Sequence, residues 1–237
     1  MKKALAFILL ACTFAAAPSC TFVRINKGLF EGTGSGSERI VGSKDLVTRT
    51  YNVPQFTGIS DMISADVEYS MTDGEPSVTV EAPDNFIDKL NFKVEDGILL
   101  VRFDDNNKYT MGKITVKASS ATLERLSILG AGDFDCDDLA CASLDVDVNG
   151  AGDVTFDNVR CEGDVSVAIR GAGDIDLTGL SCKKVSVDIM GAGDVRLVGA
   201  AESASLSIKG AGDIDASRLD CEKVSTSVAG MGSIRRK

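Results

Sequence analysis

The sequence predicts an all-β chain: a single-domain parallel β-helix, or solenoid, with rungs of about 20 residues. Three observations point there. Gly-Ala-Gly-Asp recurs at Gly130–Asp133, Gly150–Asp153, Gly171–Asp174, Gly191–Asp194 and Gly210–Asp213, and a degenerate Gly230-Met231-Gly232-Ser233 follows. The intervals are 20, 21, 20, 19 and 20 residues, too regular for chance. Apolar and polar residues alternate around each copy with period 2, rich in Val and Ile, which marks strand rather than helix.

Residues 1–19 read as an export signal. Met1-Lys2-Lys3 is a basic start, Ala4 to Ala11 is an apolar run, and small residues lead to Cys20. The run is too short for a membrane span of ~20 residues. Ala15-Ala16-Ala17 would suit ordinary signal peptidase, but cleavage there leaves Pro18 first. Ala17-Pro18-Ser19-Cys20 resembles a loose bacterial lipobox, with Ala17 where Leu is usual. The expectation is therefore a lipoprotein whose acylated first residue is Cys20, anchored by several acyl chains because one alone is marginal. Residues 20–44 follow as a flexible tether, rich in Gly and Ser between Lys27 and Ser43.

Residues 45–237 form the expected β-helix domain. In its N-terminal half, Ile98-Leu100, Ile114-Val116 and Leu126-Ile128 alternate without the motif. Asp84-Asn85-Phe86 and Glu95-Asp96-Gly97 read as turns of less regular rungs. In the repeats, one interior column is Phe134, Val154, Ile175, Val195, Ile214 and Ile234; a second is Cys136, Phe156, Leu177, Leu197 and Ala216. A third is Leu139, Val159, Leu180, Ala200 and Leu219. Like positions should stack about 4.8 Å apart, the spacing of paired strands. Gly-Ala-Gly-Asp is then the corner, its glycines permitting either positive φ or close approach of backbones.

The repeated Gly-Ala-Gly-Asp, with Asp84-Asn85-Phe86-Ile87 and Val94-Glu95-Asp96-Gly97-Ile98-Leu99 before it, resembles the auto-transporter adhesin, head GIN domain family. The resemblance covers roughly Leu46 to Arg235. It implies an exported or lipid-anchored protein of the Bacteroidota type, and no defined activity.

Composition restricts the chemistry. There is no His, so a Ser-His or Cys-His pair and a His-ligated zinc are impossible. The net charge is −10, and −12 once Lys2 and Lys3 leave with the signal, which argues against nucleic acid as partner. Cys141, Cys161, Cys182 and Cys221 share one repeat position and Cys136 another. In-register stacking exceeds the ~3.5–4.5 Å Cβ separation of a disulfide, so a reduced ladder is expected rather than disulfides or a soft-metal site. Asp133, Asp153, Asp174, Asp194 and Asp213 form a second ladder. Calcium is one reading, by comparison with nonapeptide repeats; an Asx-type turn, with Asp accepting from nearby backbone N–H groups, is the preferred one.

Catalysis in β-helices needs clefts made by long loops, and no repeat exceeds 21 residues. The expected function is thus a lipid-anchored, non-catalytic structural, adhesive or interaction module of the bacterial envelope, without cofactor. A calcium-binding module is the alternative, and a carbohydrate-active enzyme a distant one. Expected partners are the membrane, through Cys20, and a protein or glycan. Thr21-Phe22-Val23-Arg24 lacks acidic residues, which favours the periplasmic face of the outer membrane over the cell surface. The last rung stops near Arg235-Arg236-Lys237 without a cap, and end-to-end self-association is an expectation from that open edge.

Overall fold

A computed structural model describes residues 38–110 and 112–237. The signal at 1–19, Cys20 and the first part of the expected tether lie outside the described residues. The rest of the tether is not one: Arg39–Val41 form a strand in parallel register with Lys108–Thr110. Asn85 fastens it, its Nδ2 donating to the Val41 carbonyl at 2.9 Å and its Oδ1 accepting from Ser43 N–H at 3.0 Å.

The repeats form the parallel solenoid that their period predicts. One side stacks Arg125–Ile128, Leu144–Val148, Asp164–Ile169, the second halves of Ile175–Ile189 and Val195–Ile208, and Lys223–Val228. A second side stacks Phe134–Cys141, Val154–Cys161, the first halves of the same two long strands, Ile214–Asp220 and Ile234–Arg236. Because the rungs pair in register over most of their length, alternate side chains enter one interior and stack in columns. Leu126, Val146, Val167, Val187 and Leu206 are buried in one, and Phe134, Val154, Ile175, Val195 and Ile214 in another. Burying a side chain of this size stabilises the fold by roughly 1.5–3 kcal/mol.

One column differs from expectation. Ala200 is exposed, and Gly199 pairs with Leu180 and Leu219 in its place. The 19-residue interval supplies one residue too few here, and Gly199 absorbs the slip with φ 143°.

The N-terminal half is where chain order and stacking order part. Gly58–Asp61 lies between Ile98–Phe103 and Arg125–Ile128, and Asp66–Met71 between Thr115–Ser120 and Phe134–Cys141. An early rung is thus enclosed by later ones. The end beyond it is antiparallel: Leu90–Glu95 pairs with Ile98–Phe103, Ser77–Pro83 with Thr115–Ser120, and Leu46–Asn52 with Ser77–Pro83. Asp96-Gly97 is accordingly a hairpin turn and not a rung corner, with φ of 50° and 77° as type I′ geometry requires. Asp84–Ile87 is a single helical turn that buries Phe86.

At the opposite end, Lys223–Val228 and Ile234–Arg236 are paired on one side only among the described residues. Val228 is 48% exposed and Met231 91%. Among the described residues no helix is long and apolar enough to cross a membrane.

Candidate functional site

The corners explain themselves once stacked. None of the motif glycines has a positive φ; their requirement is space. A Cβ on Gly171 would lie 2.8 Å from the Gly150 carbonyl carbon and closer still to its oxygen. The same holds at Gly152, Gly191 and Gly210 against the rung before each. Of the two roles expected for these glycines, close approach is the one used. The approach lets Ala151, Ala172, Ala192 and Ala211 each donate N–H to the preceding glycine carbonyl at 3.0 Å.

The first corner of the stack is Ile63-Ser64-Ala65-Asp66, which lacks glycine and so does not carry the repeated motif. Gly130 and Gly132 rest on the Ile63 and Ala65 carbonyls. Near this corner Lys108–Thr110 pair with Arg39–Val41 in a separate two-stranded sheet, outside the stack. The sequence signal was Asp66 followed by inward Val67 and Tyr69, as Asp133 is by Phe134 and Cys136.

The aspartates form a rung-to-rung ladder rather than local Asx turns. Each Oδ1 accepts the backbone N–H of the like residue one rung on: Asp133 from Asp153 at 3.0 Å, Asp153 from Asp174 at 2.8 Å, Asp174 from Asp194 and Asp194 from Asp213 at 2.7 Å. Ser233 ends the series, donating N–H at 2.6 Å and its hydroxyl at 2.9 Å to Asp213. These two bonds hold the Asp213 carboxyl below its ordinary range. The ladder offsets the repulsion of stacked carboxylates by giving each a donor.

Beside it runs a groove of about 510 Å³ along the outer face. Six carboxylates line it, Asp153, Asp174, Asp176, Asp194, Asp213 and Asp215, against Arg196 and Arg235. Arg196 is engaged by Asp176 through a bidentate pair, its Nε 2.9 Å from both oxygens. The groove is therefore strongly acidic, and periodic with the rungs.

The five cysteines at 136, 141, 161, 182 and 221 are unpaired. Cys136, Cys141 and Cys161 are buried, whereas Cys182 and Cys221 are half-buried. Burial pushes the Cys136, Cys141 and Cys182 thiols up to about 12. They pack as small apolar groups with weak S–H bonds, as from Cys161 to the Asp164 carbonyl at 3.5 Å. Among the described residues no three Cys, Asp or Glu side chains converge as metal ligands.

One buried carboxylate had no place in the repeat reading. Asp61 takes the column position of Ile128 and Val101, fully buried. Its oxygens accept the Ile63 and Ala65 N–H groups at 3.1 and 3.4 Å, bracing the glycine-free corner. Burial, opposed by these two bonds, pushes its carboxyl up to about 7.

This stacked-corner architecture coincides with a known one. The family model described as "Putative auto-transporter adhesin, head GIN domain" matches residues 55–236. The chain belongs to this family. A putative adhesin of Bacteroides fragilis shares 26% identity, with a TM-score of 0.70 over 84% of this chain and all of its own. A putative lipid binding protein of Parabacteroides distasonis shares 22% identity at TM-score 0.71, and a putative adhesin of the same organism 18% at 0.60. Each is covered completely and covers 84% of this chain; at these identities the two show the fold alone. No curated protein matches the chain.

Proposed function

We propose that this protein is a lipid-anchored, non-catalytic solenoid, a structural or adhesive module held by acyl chains on Cys20 at the periplasmic face of the bacterial outer membrane. The observation that carries the adhesive part is the unbroken outer ribbon. From Asp133 to Asp213 every corner repeats the one before it, bonded rung to rung as far as Ser233, and the acidic groove follows the same period. Such a surface repeats one chemical motif along its length. It suits contact with an extended or multivalent partner, where weak identical contacts add. Membership of an adhesin family and the Bacteroides fragilis neighbour support the same reading. The lipobox-like Ala17-Pro18-Ser19-Cys20 supports the anchor.

Two measurements test this. Metabolic labelling with an alkynyl fatty acid should mark the wild type and not Cys20→Ser; equal labelling of both removes the anchor. Protease treatment of intact cells should leave the protein whole while permeabilised cells lose it. Digestion in intact cells would instead place it on the surface.

A further inference from the structure

Where Lys108–Thr110 leave the main sheet, an open pocket of about 740 Å³ lies beside them, separate from the acidic groove. Its volume falls in the range of small-molecule sites, roughly 300–1,000 Å³. Phe103 and Tyr109 stack with centroids 3.6 Å apart, and Phe86 meets both edge-on at 5.8 and 5.0 Å. Met62, Ile63 and Ile114 extend the apolar lining, and Met62 is 50% exposed. The backbone at Gly112 runs so close to Phe86 that a side chain there would collide with the ring. The aromatic wall is thus built in, not incidental.

The polar groups around it divide sharply. Asp105 is satisfied, accepting the Tyr109 hydroxyl at 3.0 and 2.9 Å and the Asn107 N–H at 3.0 Å. Asn107 Oδ1 accepts the Glu38 N–H at 3.2 Å. Arg102 is the exception. Its Nε is buried with no hydrogen-bond partner, and among the described residues its guanidinium makes no ion pair. The carboxylate whose charge it does feel, Glu95, is engaged by Lys93 at 2.8 Å instead. A buried unpartnered donor of this kind is costly, and an anion arriving there would recover the loss.

The geometry points to a binding site for a small amphiphilic anion, with its carboxylate or phosphate on Arg102 and its apolar body against Met62, Ile63, Phe103, Tyr109 and Ile114. The site needs both halves. An apolar body alone leaves Arg102 unpaired, and a bare anion leaves the aromatic wall wet.

Calorimetry on the full chain carrying Cys20→Ser tests this whether or not the protein is acylated. Dodecanoate is expected to bind with Kd below about 100 μM, and dodecanol at least ~10-fold more weakly; a charge-assisted hydrogen bond of ~1.5–3 kcal/mol corresponds to about 10–100-fold. Dodecyl phosphate should match dodecanoate, while acetate and inorganic phosphate should not bind measurably. Arg102→Gln should weaken dodecanoate at least ~10-fold at unchanged melting temperature, with Arg102→Lys recovering part of the loss. Should Arg102→Gln fold poorly, Met62→Asp on the exposed rim is the second variant, expected to weaken dodecanoate by a similar factor. Absence of dodecanoate binding, equal binding to a folded Arg102→Gln, or tight binding of phosphate alone would overturn the site.

Discussion

Replacing Gly171 by Ala inserts one methyl group where the stack has no room for it. The new Cβ would stand 2.8 Å from the Gly150 carbonyl carbon and 3.1 Å from that of Asn149, with the Gly150 oxygen nearer still. To restore ordinary contact with the oxygen, the rungs must open by more than about 1 Å, which carries N–H···O bonds past the ~3.2 Å at which they normally end. Three bonds cross this opening: Arg170 N–H to Val148 at 2.8 Å, Ala172 N–H to Gly150 at 3.0 Å, and Asp174 N–H to Asp153 Oδ1 at 2.8 Å. At about 1 kcal/mol net each, the expected loss is ~3 kcal/mol. For a domain of this size 1 kcal/mol moves Tm by ~2–4 °C, so a fall of about 6–12 °C is expected. Far-UV circular dichroism melting measures it. Two further glycines calibrate the series: a Cβ on Gly163 meets the Ala142 carbonyl at 2.7 Å, and one on Gly74 meets nothing closer than Thr72 Oγ1 at 3.3 Å. Gly163→Ala should fall between the two, and Gly74→Ala should stay within ~0.5 kcal/mol of wild type. If Gly171→Ala melts with the wild type, close approach is not what these corners require of glycine.

Three other outcomes are expected. Leu177→Asp puts a carboxylate into a fully buried position and should cost at least ~4 kcal/mol, whereas Asp176→Lys, which breaks only the partly exposed pair with Arg196, should cost about 1 kcal/mol or less; urea unfolding of both ranks the inner and outer faces. Asp61 keeps its proton to about pH 7 in the fold but to only about 3.8 when unfolded, so the folded state binds more protons in between. Stability should therefore fall as pH rises from about 4 to 7, by up to ~1.4 kcal/mol per unit, and level off above. Asp61→Asn keeps an acceptor and should flatten that slope; an equal change in unfolding free energy between pH 5 and 7.5 for wild type and Asp61→Asn, from urea titrations, would refute it. Alkylation mapped by mass spectrometry should find the thiols at 136, 141, 161, 182 and 221 free after denaturation without reductant. In the native protein the buried Cys136 and Cys141 should react slowly, and half-buried Cys221 first. Two quantitative disulfides would end the ladder reading.

In the repeats, a residue's main neighbours are its counterparts about 20 positions away, so the period itself encodes the contacts. That is why the columns through Val167, Ile175 and Leu177, and the corners from Gly130 onward, were legible from sequence. Sequence and structure part where the period slips, at Gly199 and Ala200, since alternation cannot show which residue of a short rung is skipped. They part again where pairing is not sequential. Nothing local to Gly58–Asp61 tells it to lie between Ile98–Phe103 and Arg125–Ile128, or tells Ser77–Pro83 to run antiparallel. Those choices depend on burying the whole N-terminal segment against one end of the stack. The same holds for the groups that carry chemistry. Composition showed five aspartates in register, but only the stacked backbone decided that each accepts its neighbour's N–H. Asp61 in an apolar column, and Arg102 unpaired beside an aromatic wall, arise from segments far apart in the chain. Sequence alone determined the repeating half of this protein because its contacts are periodic; tertiary structure decided the rest because those contacts are not.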